Sequence, residues 1–317
     1  MRDEWASAFT DKARAYWTRE RLDDLVRGKD LNVLPHEAPS LLRALGILHR
    51  DGSMPPAQRR KFFQCNHMVA ALGPSLRELV AARTDEPVRL VDAACGRSYL
   101  TLLLAHTLEH RYRVPVQVLA VDRNAELVEE SARRTTMAGL DATVKHFASP
   151  LARLDVREAF ASQFGGARPS RIDAVVSLHA CNTATDDAIE LGVRADATLL
   201  ALTPCCHAEL AAQWKELAPT SAGPFAPIHR TPHLRRETAS IVTDTMRALL
   251  LRAMGYESWA LELVPTEHTP KNTLLRAMFR GHDDGAALQQ YRALKESTGG
   301  AGIALAERLS ALQKSRT

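Results

Sequence analysis

Little in this chain marks it for a membrane or an oxidising compartment. Its 317 residues contain no apolar run of the length, about 18 residues, that a membrane-spanning helix needs. The opening Met1-Arg2-Asp3-Glu4-Trp5 lacks the basic-then-apolar layout of a secretory signal. Cysteines number only five, an odd count placed mostly at expected strand ends. That argues against a disulfide framework and for a reducing cytoplasm. No internal repeat or low-complexity tract is evident, and a net charge of +4 is too mild to require a nucleic-acid partner. What remains is 45% hydrophobic and 25% charged, ordinary for a globular chain that holds one large domain plus an appendage.

Glycine is scarce where it would be most telling. The apolar run Val88-Arg89-Leu90-Val91 ends in Asp92, turns at Ala93-Ala94-Cys95-Gly96-Arg97-Ser98 and restarts as an apolar helix at Tyr99-Leu100. Val116–Asp122 gives a second buried strand that also closes on an acid. Strand, turn, helix, strand and carboxylate is the order of a nucleotide-binding unit. A dinucleotide fingerprint wants three glycines, so that the backbone can approach a pyrophosphate. Here only Gly96 lies in the turn, with Ala94 where a glycine is expected. A pyrophosphate fits poorly, whereas S-adenosylmethionine carries no phosphate. Its ammonium can meet Asp92, directly or through water, and Asp122 can accept from both ribose hydroxyls. Asp92, Ala94, Cys95, Gly96 and Asp122 are therefore the candidate cofactor-binding residues. The plain alternative is that Asp92 and Asp122 merely cap the helices that follow them.

Residues 1–85 read as a helical N-terminal segment, with amphipathic stretches around Trp5–Val26 and Arg59–Ala82. From Arg43 to Arg83 there are seven Lys/Arg against two Asp/Glu. Arg59-Arg60-Lys61, with Phe62, Phe63, Asn66 and His67, could touch phosphates and stack a base, or the aromatics could pack inward while the charges face solvent. Residues 86–282 alternate strand and helix, the mark of a parallel sheet covered on both faces, with strands expected near Thr143–Phe147, Ile172–Leu178 and Ala197–Thr203. A loop from Pro219 to Arg236 carries four prolines and Arg230, His233, Arg235 and Arg236, so it could lie over a site. After a helix over Glu237–Met254, Tyr256–Val264 and Thr273–Arg280 read as an antiparallel hairpin. Residues 283–317 form a helical tail, broken near Gly299-Gly300.

Ligands of such sheets sit outside the carboxyl ends of the parallel strands. There the fourth strand supplies His179 to Asp187, the fifth Pro204-Cys205-Cys206-His207, and the hairpin loop Glu267 to Asn272. Convergence of polar groups from separate segments favours an enzyme over a scaffold. The strings DAACGRSYLT, LHACNTATDDAI, TPCCHAEL and HTPKN, together with the Lys61–His67 helix, resemble the bacterial branch of a class I S-adenosylmethionine methyltransferase family. Its eukaryotic relatives include the acceptor-stem tRNA 2′-O-methyltransferase. The resemblance spans about Arg59 to Arg280 and departs at Ala94, where the family has Gly, and at Asn182, where it usually has Asp. It implies a Rossmann-like α/β sheet, a methyl-donor cofactor held at Asp92, Gly96 and Asp122, and RNA (tRNA or rRNA) as substrate class.

Methyl transfer to a hydroxyl or amine needs a positioned nucleophile and a route for its proton. His179 suits the base by its near-neutral pKa, or else it is a structural histidine. Lys271 could position a phosphate or lower an alcohol's pKa, or face solvent. Cys205 or Cys206 could attack a pyrimidine carbon, and Cys181, Cys205, Cys206 and His207 could hold zinc. Adjacent cysteines are poorly spaced for that metal, so packing is the simpler role and no metal is expected. Thr185 is read as the N-cap of the next helix, with Asp186 and Asp187 in its first turn. The expectation is a cytoplasmic RNA methyltransferase. The rivals are a methyltransferase of a protein or small molecule, and a non-catalytic binding protein retaining the fold.

Overall fold

The computed structural model describes residues 2–82, 86–178, 183–204, 208–262, 273–282 and 284–316, with the backbone alone for 2–5 and 315–316. By internal contacts the chain forms two compact units, residues 1–170 and 171–317. The fold is α/β, a seven-stranded mixed sheet with helices at the N-terminal end.

The first unit opens with helices α1 (Arg2–Tyr16), α2 (Arg19–Val26), α3 (Pro39–Ala44) and α4 (Pro56–Ala81). The amphipathic stretch expected around Trp5–Val26 is divided between two helices. Thr18 adopts extended backbone and accepts a hydrogen bond from the Arg21 N–H, so it caps a new helix. Trp17, buried at this break, donates its indole N–H to the Gly52 carbonyl at 2.8 Å. Then come β1 (Val88–Ala93), α5 (Tyr99–His106) with a π-helical turn at Thr107–Arg111, β2 (Val116–Asp122), α6 (Ala125–Ala138), β3 (Val144–Ala148) and α7 (Val156–Phe164). Strands β3, β2 and β1 are parallel neighbours, with Val88 opposite Val116 and Val118 opposite Val144. The runs of Val, Leu and Ala in β1 and β2 are buried on both faces, as parallel strands under helices must be, whereas β3 at the sheet edge buries only Val144.

The second unit holds β4 (Ala174–Leu178), α8 (Thr183–Arg194), β5 (Leu199–Thr203), α9 (Ala208–Leu217), α10 (Ala226–Arg230), α11 (Pro232–Ala253), β6 (Tyr256–Glu262), β7 (Thr273–Phe279), α12 (Gly285–Ser297) and α13 (Leu305–Arg316). Strands β4 and β5 are parallel, and β7 runs antiparallel to both β5 and β6. The expected antiparallel ending is present. The Pro219–Arg236 segment is not a plain loop: it contains α10, and Pro232 opens α11 at a position where a missing N–H costs nothing. Thr185 is not an N-cap, because α8 already begins at Thr183. Asp186 does lie in the first turn of α8, and both Asp186 and Asp187 form ion pairs. Buried Arg247 of α11 reaches Asp186 at 2.8 Å and Asp244 at 3.1 Å, while Arg308 of α13 holds Asp187 at 2.7 Å and also Glu190. No helix among the described residues is long and apolar enough to cross a membrane.

Candidate active site

The turn between β1 and α5 has an uncommon backbone. Ala94, Gly96 and Ser98 all adopt the left-handed region, with φ of +59°, +52° and +56°. For the two residues with a Cβ this costs roughly 1–2 kcal/mol each, so outside contacts must hold the turn in shape. Those contacts are specific. The Cys95 N–H donates to the Val121 carbonyl at 2.9 Å, and the Ser98 N–H to the Cys95 carbonyl at 2.8 Å. From α6, the buried Ser131 hydroxyl donates to the Gly96 carbonyl at 2.9 Å and Arg134 Nη1 to the Arg97 carbonyl at 3.1 Å.

Asp122, at the end of β2, is half-buried. One carboxylate oxygen accepts the Gly96 N–H and the other the Asn124 N–H, both at 2.9 Å. Asn124 caps α6 by accepting from the Glu126 and Leu127 N–H groups. Asp122 thus caps neither helix: it ties the β1 turn to the β2 turn. Asp92 is only 2% exposed and accepts a hydrogen bond from the Thr101 hydroxyl, one turn into α5. No cation pairs with it among the described residues. Burial pushes its pKa from 3.8 up to about 7, against the Thr101 hydrogen bond, and the nearby Asp122 charge adds to the rise. Burial likewise raises the Cys95 thiol, which stays protonated and unsuited to nucleophilic work. Beyond Gly96 there is open space: a Cβ built there meets nothing within 4 Å.

All five candidate cofactor residues thus sit together at the carboxyl ends of β1 and β2. A cavity of about 330 Å³ lined by Arg89, Gln117, Phe160 and Phe164 lies at the amino ends of these strands and has no part in the site. Of the residues read as chemical, His179, Cys205, Cys206 and Lys271 lie outside the described residues, as do Cys181, Asn182, His207 and the hairpin loop. The basic helix is only partly available. Phe62 is fully buried, and Asn66 brackets Val33, accepting its N–H at 2.8 Å and donating to its carbonyl at 3.1 Å. Lys61 turns inward to Tyr99, leaving Arg59, Arg60 and His67 exposed. Thr101, Ser131 and Arg134 are site supports that carry no sequence signal of their own.

Residues 60–213 match a family described as a methyltransferase domain. The match covers just under half of the chain. It runs from α4 through α9 and contains every candidate cofactor residue. No curated protein matches the sequence. Among solved structures, an S-adenosylhomocysteine-bound methyltransferase of Podospora anserina is 9% identical, over 83% of this chain and 97% of its own, with a TM-score of 0.44. The methyltransferase domain of a citrinin polyketide synthase is 16% identical over 82% and 68%, with a TM-score of 0.42. An rRNA methylase of Streptococcus thermophilus is 14% identical over 64% and 92%, with a TM-score of 0.38. Likeness at this level bears on neither the activity nor the substrate of the domain.

Proposed function

We propose that this chain is an S-adenosylmethionine-dependent methyltransferase acting on RNA. The observation that carries the cofactor reading is a pair of dissimilar carboxylates at the ends of neighbouring parallel strands. Asp92 is buried with no cation beside it among the described residues, and Asp122 is already fixed by two N–H donors. A cofactor bearing an ammonium and a ribose has a use for both, and the open space beside Gly96 leaves room for it. Bound there, S-adenosylmethionine supplies an electrophilic methyl group on a sulfonium. The chain's own part is to hold it. Asp92 would meet the ammonium and Asp122 would accept from the sugar hydroxyls, while the two turns are locked to each other through the Gly96 N–H. His179 remains our candidate for accepting the nucleophile's proton.

RNA as substrate rests on the sequence resemblance and on Arg59 and Arg60, exposed where the matched segment begins. Calorimetric titration with S-adenosylhomocysteine tests the cofactor half. Absence of heat and of any thermal shift would leave a binding protein that merely keeps the fold. Tritiated methyl transfer into a total cell extract, with RNase and protease controls, tests the substrate half. RNase-sensitive label supports the proposal; protease-sensitive or small-molecule label overturns it.

A further inference from the structure

We infer that Lys61 and Arg134 are positioning residues that keep the turn between β1 and α5 in its ligand-ready shape by holding Tyr99. The inference rests on the reading of that turn as the cofactor site. Tyr99 is the first residue of α5 and directly follows left-handed Ser98, so its placement fixes where the turn ends. Lys61 Nζ, from α4, lies 2.7 Å from the Tyr99 phenol oxygen and 4.0 Å from the ring centroid, and donates also to the Leu45 carbonyl at 3.0 Å. Arg134, from α6, places its guanidinium carbon 5.5 Å from the same ring while donating to the Arg97 carbonyl at 3.1 Å. Two cations from two helices therefore meet one aromatic ring at the exit of the turn.

Arg134 is balanced by Glu130 at 2.5 Å. Lys61 has no carboxylate partner among the described residues. Its half-buried ammonium is met only by a carbonyl, a phenol oxygen and a ring face. An apolar side chain would fill the same space without giving up hydration, so packing alone does not call for a lysine. A hydrogen bond that reaches from α4 across to the start of α5 does. Lys61 thereby links the end of α3, the body of α4 and the cofactor turn, and it makes the shape of a strained turn depend on the N-terminal helices.

The test compares Lys61→Met, Lys61→Arg, Tyr99→Phe and the Met–Phe double variant of the full chain. Amide hydrogen exchange over residues 94–99 is followed without ligand, beside S-adenosylhomocysteine affinity and the thermal midpoint. Lys61→Met is expected to speed exchange of the turn roughly tenfold while β1 and β2 stay protected. It should weaken the ligand by about tenfold as well, and the double variant should be no worse than Lys61→Met, since both remove one interaction. Lys61→Arg should recover most of both effects. Unchanged exchange in the turn, or a rise spread evenly over turn and strands, overturns the inference. The same holds if Lys61→Arg behaves like Lys61→Met. If Lys61→Met does not fold, Tyr99→Phe and Lys61→Arg carry the comparison. Failure of the unaltered protein to bind S-adenosylhomocysteine would refute the cofactor reading, which the ligand-free exchange measurement does not depend on.

Discussion

Replacing Asp92 with asparagine should reverse part of the protein's response to pH. The carboxyl is sealed from water, and its pKa stands at about 7 against 3.8 for an ordinary aspartate, a difference of about 3 units. A raised pKa on an acid means that the folded chain holds the proton more tightly than the unfolded chain does. The contribution of this group to stability is thus complete below pH 4, declines as pH rises, and is fully lost above about pH 7. At 1.36 kcal/mol per unit the whole loss is on the order of 4 kcal/mol, and roughly 3 kcal/mol of it falls between pH 5 and pH 8. Asparagine preserves the shape and can still accept from Thr101, but has no proton to lose. Urea unfolding at pH 5 and pH 8 provides the measurement. The unaltered protein should lose roughly 3 kcal/mol more than Asp92→Asn over that interval, a comparison that cancels the titrating groups remote from Asp92. Parallel pH profiles would refute the assignment of a buried, uncompensated carboxyl. A ligand ammonium would draw the proton off, so S-adenosylhomocysteine affinity should improve with pH up to about 7, by at most about tenfold per unit, and Asp92→Asn should flatten that dependence.

Ala94→Gly removes a Cβ from a left-handed position and should stabilise the chain by about 1 kcal/mol in urea unfolding; a loss of stability would contradict the backbone assignment. Arg247→Ala removes the guanidinium that buried Asp186 and Asp244 share and should cost about 3–5 kcal/mol, whereas Arg247→Ala with both Asp186→Asn and Asp244→Asn should recover a good part of it. Asn66→Ala leaves both polar groups of Val33 unmet in a buried site and should cost about 2–4 kcal/mol; a cost below about 0.5 kcal/mol would show that water replaces the side chain.

The parts of the fold legible in the sequence are those with an unbroken pattern. Val116–Asp122 reads as a buried strand from its apolar run and is that strand to the residue. The two tail helices separate near Gly299-Gly300 because two left-handed glycines follow one another there. Breaks set by a single cap are harder to see. Thr18 ends one helix and starts another inside a continuous amphipathic pattern, and α10 hides among prolines that look like loop punctuation. At the candidate site, residue types singled out Asp92, Gly96 and Asp122, but not the environments that make the two acids different. Burial of Asp92 comes from the helix packed over it, and the grip on Asp122 from backbone N–H groups that any sequence has. Nor does Lys61 announce that it faces inward: within Arg59-Arg60-Lys61 the three residues look alike, and only the position of Tyr99 separates the last from its neighbours.

The ion pairs of Arg308 carry a practical lesson for anyone handling this molecule. Because α13 is bolted to α8 through Asp187 and Glu190 and sinks Leu305 and Leu309 out of water, the last dozen residues act as a keystone of their unit. Trimming the chain at Gly299 for convenience would strip a cation from two acids and bare an apolar seam, so expression designs should keep this helix whole and place any affinity tag beyond it on a spacer.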